Sequence, residues 1–174
     1  MDLGPDTTVH LGDFILLDTT NIVNFPDRVA QLLVKPAEYV KGDTLFPVHS
    51  FRYTATAIDT NGCKAADDRV VIVDKTRLVF IPNVLYPESA GGNELLRISV
   101  GQDVAMIKAF QIYDRWGAAV YEKRNFLPPS PNNDGWDGRV RGERATPAVF
   151  VYYAEILFKD GETEIFKGDV TIYR

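Results

Sequence analysis

The sequence predicts an all-β protein built as two β-sandwich modules in tandem, residues 1–77 and 78–174. Three observations carry this reading. Short segments rich in aromatic and β-branched residues recur along the chain, separated by clusters of Gly, Pro and Asn. Helical periodicity is weak throughout; only residues 103–110 have a pattern that would support a short helix, of about two turns at most. A short charged junction, Asp74-Lys-Thr-Arg77, is followed by a new apolar segment, which places the module boundary between Val73 and Val79.

In the first module residues 14–17 and 31–35 read as strands, with Pro26, Pro36 and Pro47 punctuating the connections. Phe51-Arg-Tyr-Thr-Ala-Thr-Ala-Ile58 alternates, placing Phe51, Tyr53 and Ala55 on one face. Asp59-Thr-Asn-Gly62 supplies a tight turn, because Asn-Gly tolerates positive φ. Arg69-Val-Val-Ile-Val-Asp74 returns as a short apolar strand and completes a hairpin. The second module opens with Leu78-Val-Phe-Ile81 and continues through residues 95–100, 107–113, 118–123, 149–159 and 165–173. Residues 149–158 are apolar on both faces for most of their length, as a central strand requires. Lys159-Asp-Gly-Glu162 turns the chain, and residues 168–173 close the fold.

Composition narrows the function. The chain of 174 residues is 45% hydrophobic and 25% charged, with a net charge of -5, which argues against phosphate-backbone binding and nucleic acid as a partner. The charge is evenly spread: 8 basic and 11 acidic side chains before Leu78, 11 and 13 after it, so neither half is a basic arm or an acidic tail. The best apolar run, residues 148–154, is far shorter than the roughly 20 residues of a membrane helix. Met-Asp-Leu-Gly-Pro-Asp lacks a basic region followed by an apolar stretch, so no signal peptide is expected there, and a secreted parent is expected to start further upstream.

Catalytic constellations are absent from the pattern, and no enzyme activity or cofactor is expected. There is no Gly-x-Ser-x-Gly elbow, and His10 and His49 have no recognisable partner. Cys63 is the sole cysteine, so no internal disulfide and no multi-cysteine metal site can form. It reads as a structural or vestigial cysteine, since nothing nearby argues for the electropositive setting a reactive thiol needs. Asp67 and Asp68 are adjacent and point to opposite faces of a strand, unlike a glycosidase pair. Asn132-Asn-Asp-Gly-Trp-Asp-Gly138 is rich in oxygen ligands, but counting from Asn133 its third position is Gly135 and its twelfth Arg144, where a calcium loop needs an oxygen ligand and a bidentate Glu. A structured turn is expected there instead, and no metal. Arg139, Arg141 and Arg144 form a small basic patch, with Arg139 and Arg141 expected on one face of a strand. An ordinary solvated face is the first reading of that patch; the alternative is a contact for an anionic partner.

Several stretches of the second module occur in a telling order: Val79-Phe-Ile-Pro-Asn83, Phe110-Gln-Ile-Tyr-Asp-Arg-Trp-Gly117, Val120-Tyr-Glu122, Gly135-Trp-Asp-Gly138, Val149-Phe-Val-Tyr-Tyr153 and Gly168-Asp-Val-Thr-Ile-Tyr-Arg174. The module resembles the gliding-motility-associated C-terminal domain, the type B sorting domain of the type IX secretion system. The resemblance implies a small immunoglobulin-like β-sandwich that directs a large surface protein or adhesin across the outer membrane. It implies as partners the type IX translocon and an outer-membrane protein, and a secreted or cell-surface location. One stretch departs: where the family carries an Asp-rich loop, this chain has Leu85-Tyr-Pro-Glu-Ser-Ala-Gly-Gly-Asn-Glu94. Any role of that acidic loop, ion binding included, is therefore not expected here. The first module is similar to the PKD and immunoglobulin-like repeats that act as spacers or adhesive stalks, through Asp6-Thr-Thr-Val9, Leu11-Gly-Asp13 and residues 53–63, though it lacks their central tryptophan.

The resemblance points to Asp114, Arg115, Trp116 and Gly117, with Gly135, Trp136, Asp137 and Gly138, as the sorting motif. These residues either maintain the fold or present an epitope, and packing is the first expectation for both tryptophans. The rival reading is an adhesin module that binds glycan or protein through the first module or through Arg139, Arg141 and Arg144, with a surface glycan or lipopolysaccharide as the anionic partner.

Overall fold

The computed structural model describes residues 2–17, 29–89, 91–127 and 135–173. Pro26, Ala90, Arg174 and the Asn132–Asp134 part of the polar cluster lie outside the described residues. The protein is all-β, as expected, and comprises two compact units, Met1–Thr76 and Arg77–Arg174.

The first unit contains β1 (Thr7–His10), β2 (Ile15–Leu16), β3 (Val29–Lys35), β4 (Val40–Lys41), β5 (Thr44–Leu45), β6 (Phe51–Asp59) and β7 (Lys64–Asp74). One sheet has the order β1-β7-β6-β3, with β1 parallel to β7 and the other pairs antiparallel; the second has the order β2-β5-β4. Alternation along β6 sends Tyr53, Ala55 and Ala57 inward to meet Leu11, Leu45, Val71 and Val73 in the core. The apolar run 69–74 is only the end of β7. The strand starts at Lys64, because pairing with β6 continues through Asp67 and Asp68 to Ile58. Those carboxylates suit a strand because they are held: Asp68 pairs with Arg52, and Asp67 accepts the Leu3 N–H at 2.7 Å.

The β6–β7 turn differs in kind from the predicted Asn-Gly turn. Only Gly62 has positive φ, at 85°, while Asn61 is absent from the left-handed set. Asp59 organises the loop. Its Oδ1 accepts the N–H groups of Asn61 and Cys63, both at 2.8 Å, and its own N–H donates to the Cys63 carbonyl at 3.0 Å. The result is a three-residue hairpin loop, a tight turn followed by a left-handed glycine. Cys63 beside it is an exposed free thiol.

The second unit contains β8 (Val79–Phe80), β9 (Val84–Leu85), β10 (Ser99–Val100), β11 (Val104–Tyr113), β12 (Ala119–Phe126), β13 (Arg139–Val140), β14 (Glu143–Arg144), β15 (Val149–Phe158) and β16 (Thr163–Ile172). The main sheet has the order β12-β11-β15-β16-β9, antiparallel except for the parallel β16–β9 pair; β10–β8 and β13–β14 form two small ribbons. The doubly apolar β15 lies at the centre, as its composition predicts. Phe110, Ile112, Phe150, Ala154, Ile156, Phe158, Val170 and Ile172 are buried, together with Leu85, Leu96, Ile98 and Trp136. Residues 104–110 are extended, since β11 has partners on both sides and ladder pairing outweighs a weak helical pattern. The expected strand 95–100 is reduced to Ser99–Val100 and a single bridge from Leu96 to Trp136.

Arg77 begins this unit as a clamp. Its guanidinium reaches Asp160 at 3.0 Å, Glu162 at 2.9 Å and Glu164 at 3.1 Å, and lies 4.0 Å from the centroid of Phe158. Burial pulls its pKa down, but the hydrogen bonds to Asp160 and Glu164 outweigh that and the net direction is up. The chain is thus tied to the β15–β16 turn at the end of the sheet where β15 finishes.

Candidate functional site

The motif Asp114-Arg-Trp-Gly117 forms the loop between β11 and β12, and it repeats the architecture of the Asp59-Thr-Asn-Gly62 loop. Asp114 Oδ1 accepts the N–H groups of Trp116 and Ala118, both at 2.9 Å. The Asp114 N–H donates to the Ala118 carbonyl at 2.9 Å, and Gly117 takes φ 83°. Asp and Gly are therefore explained by the backbone: one caps two N–H groups, the other enters the left-handed region at no steric cost. Arg115 and Trp116 are not explained this way, because Thr60 and Asn61 fill the same two positions in the sister loop. Asp114→Ala is expected to cost about 1 to 2 kcal/mol in a urea melt of the second unit, with Asp114→Asn, which keeps an acceptor oxygen, recovering most of it.

Trp116 is 80% exposed, against the expectation that it packs. The Arg115 guanidinium lies 5.0 Å from its ring centroid, a cation–π arrangement at the tip of a rigid loop. Among the described residues Arg115 has no carboxylate partner, whereas Arg77, Arg124, Arg139 and Arg144 are ion-paired; Arg141, exposed at the β13–β14 turn, also has none but no aromatic ring beside it.

Gly135-Trp-Asp-Gly138 is built for the opposite purpose. Trp136 is 1% exposed, its Nε1–H donates to the Arg139 carbonyl at 2.9 Å, and its ring meets Phe150 edge-on at 4.8 Å. Its backbone exchanges hydrogen bonds with Leu96 at 2.8 and 3.1 Å. A side chain at Gly135 would come within 2.9 Å of the Leu96 carbonyl, so glycine is what lets the two segments approach. Gly138 has φ 76° and packs against Pro87 and Leu85, and Asp137 accepts the Arg139 N–H at 3.0 Å. Tyr121 borders this region; burial, helped by the Asp137 charge, raises its pKa. Because Tyr113 pairs with Val151, the exposed loop projects from the same end of β15 as Phe150, against which Trp136 packs. Sequence reasoning missed Leu96, the anchor of Trp136; the glycine preceding the tryptophan is the signal that a close backbone approach was needed.

The basic patch is arranged differently from the prediction. Arg141 (φ 53°) and Gly142 (φ 86°) form the two-residue turn of the β13–β14 hairpin, so Arg141 does not share a strand face with Arg139. Arg139 sits opposite Arg144 across the hairpin. Arg139 is paired with Asp137 at 3.2 Å and Arg144 with Glu88 at 2.7 Å, which removes most of the patch's net charge. Glu88 belongs to the departing loop 85–94, which is closed by the Tyr86 N–H donating to the Asn93 carbonyl at 2.9 Å. Among the described residues no three acidic, His or Cys side chains gather to hold a metal, and no helix is long and apolar enough to cross a membrane.

The second unit is thus a small β-rich domain carrying an exposed Asp-Arg-Trp-Gly loop and a buried Gly-Trp-Asp-Gly stretch. The CHU_C Type IX secretion signal domain model matches residues 79–172, a little over half of the chain, and the protein belongs to that family. Membership makes this a sorting-signal domain rather than a member of a catalytic family. It engages the type IX machinery, and its destination is the cell surface or the medium. No curated protein matches the chain. Similar solved structures include dimeric latent PorU from Porphyromonas gingivalis, at 16% identity and TM-score 0.37 over 74% of this chain, and a tetra-tandem repeat from the extending region of a large adhesion protein, at 14% and 0.32 over 77%. The chain spans 13% and 37% of those two chains. The fibronectin(III)-like modules of Clostridium thermocellum CbhA match at 15% identity and TM-score 0.28, covering 97% of this chain and 89% of theirs.

Proposed function

We propose that the second unit is a non-catalytic sorting signal in which the β11–β12 loop is the part the machinery reads, while Gly135-Trp-Asp-Gly138 is scaffold. The observation that carries this is the contrast between the two tryptophans, one 80% exposed beside an arginine with no carboxylate partner, the other 1% exposed and hydrogen-bonded. An aromatic and an arginine held on a rigid turn are the residue types that dominate binding hot spots, and a rigid presentation lowers the entropy lost on docking. Nothing in the loop's backbone requires either side chain. The first unit is proposed as a spacer or stalk repeat that holds upstream domains away from the signal. A glycan contact at Arg139, Arg141 and Arg144 is not favoured, since Arg139 and Arg144 are neutralised by Asp137 and Glu88 and Arg141 alone is left without a carboxylate partner among the described residues.

The test is a fusion of residues 77–174 behind a signal peptide and a reporter, in a host that carries the type IX machinery. The reporter is expected on the cell surface or in the medium. A folded fusion that stays in the periplasm, with a matched outer-membrane partner co-expressed, would overturn the sorting assignment.

A further inference from the structure

The exposed loop does not stand alone at its end of the sheet. Ten large apolar side chains of the second unit are exposed among the described residues. Six of them, Val84, Tyr86, Trp116, Val149, Val151 and Tyr173, lie at the end from which the loop projects. The register requires it. Val151 sits opposite Tyr113, immediately before the loop, and on its other side opposite the exposed Asp169. Val149 sits opposite Thr171, and Thr171 opposite Val84, so these form the terminal row of the outer face. Tyr173 follows that row and stacks edge-on with Tyr86 at 6.0 Å. The other half of the same face is covered with paired polar groups: Gln111 donates to Glu122 at 3.0 Å, Arg124 pairs with Glu122, and Lys108 with Glu155 at 2.6 Å. The Arg124 contact, followed by the Gln111 hydrogen bond, holds the Glu122 carboxyl below its ordinary range, as expected of satisfied surface polarity.

One sheet face thus changes from mainly ion-paired to mainly apolar along its strands, with Ile165 the exposed apolar residue beside Glu155 and Asp169 the charged residue beside Val151. Clustered exposed apolar side chains on a soluble domain mark an interaction surface, whereas singly scattered ones do not. We infer that this apolar end, with Arg115 at its margin, docks as one surface onto a protein of the secretion machinery that presents a matching apolar strip and an acidic side chain for Arg115. The occupant is argued from three features: family membership, which makes that machinery the partner; continuity with the loop; and a guanidinium without a carboxylate partner among the described residues. The inference rests on the sorting reading above and extends it from two residues to a surface.

Val151→Lys and Ile165→Lys form a matched test, because the two residues are exposed to 49% and 58% on the same face of neighbouring strands, one in the apolar half and one in the polar half. In the reporter fusion, Val151→Lys is expected to lower export by about tenfold or more, since it replaces an apolar contact with a long side chain whose ammonium faces Asp169 and must be buried with it, while Ile165→Lys stays within about twofold of the parent. Both should melt within a few degrees of the parent, roughly as exposed substitutions do. Val149→Lys, at the first residue of β15, repeats the test where disturbance of the strand is smallest. If Val151→Lys and Val149→Lys export normally while Trp116→Ala does not, docking is confined to the loop and this inference is wrong, though the sorting reading stands. If Ile165→Lys is equally defective, the surface is misplaced. If light scattering shows that the parent unit self-associates and Val151→Lys makes it monomeric without loss of export, the patch is an interface between copies and the inference fails.

Discussion

Trp116→Ala is expected to stop export while leaving the domain folded. The ring is 80% exposed, so its removal should change stability by no more than about 0.5 kcal/mol, or roughly 2 to 4 °C in the melting midpoint of a unit this size. The turn does not depend on the side chain, because Asp114 binds the backbone N–H of residue 116 whatever that residue is. If the ring is a docking anchor, its truncation should cost about 2 kcal/mol or more of binding, which is about thirtyfold, and export should fall accordingly. Arg115→Ala should act in the same direction, losing both the stacked guanidinium and its charge. Export of the reporter and the melting curve of the purified unit, measured on the same variants, separate a lost epitope from a lost fold. A Trp116→Ala unit that melts normally and exports normally would remove the loop from the account.

Trp136→Ala should have the reverse signature, a large loss of stability with export falling only as folding fails. The indole is fully buried, meets Phe150 edge-on and donates to the Arg139 carbonyl. Truncation of a buried aromatic costs about 3 to 5 kcal/mol, a large share of the roughly 5 to 15 kcal/mol that holds a small domain together. Trp136→Phe should fall between, keeping most of the apolar volume while leaving the Arg139 carbonyl without its donor. Near-ultraviolet circular dichroism and a denaturant melt measure both variants. A Trp136→Ala unit with a parent-like melt would mean that the Leu96–Trp136 bridge does not organise the loops that close this sandwich.

The two tryptophans also show where sequence reading stops. Each stands beside a glycine and an aspartate within four residues, and no local pattern separates them. What separates them is tertiary. Trp136 is bridged to Leu96, 40 residues upstream, through an approach that Gly135 permits. Trp116 sits on a loop whose hydrogen bonds are all local. β6 is legible because its alternation leaves a period-two mark residue by residue, and β15 because a continuous apolar run between turn signals suits a central strand. The start of β7 was not, since its aspartates become acceptable only once Arg52 and the Leu3 N–H are in place. Residues 95–100 looked like a full strand because Leu96 and Ile98 are apolar, but they serve as core plugs, with ladder pairing limited to Ser99–Val100. Arg139 and Arg141 share a face only if a strand runs through both, and Arg141-Gly142 is instead the turn. The apolar end of the sheet could not be seen at all from sequence, because it is assembled by register from β9, β15, β16 and the residues that flank them.

The measurement closest to the central claim is in-cell photo-crosslinking from a single position beside the loop. Ala119, exposed and next to the turn, can carry the reactive side chain without replacing Arg115 or Trp116; Ile165, on the polar half of the face, is the control. With the fusion held in transit, an adduct is expected from position 119 to an outer-membrane component of the type IX machinery, and none from position 165. Adducts to that machinery from position 165 with none from position 119 would contradict it.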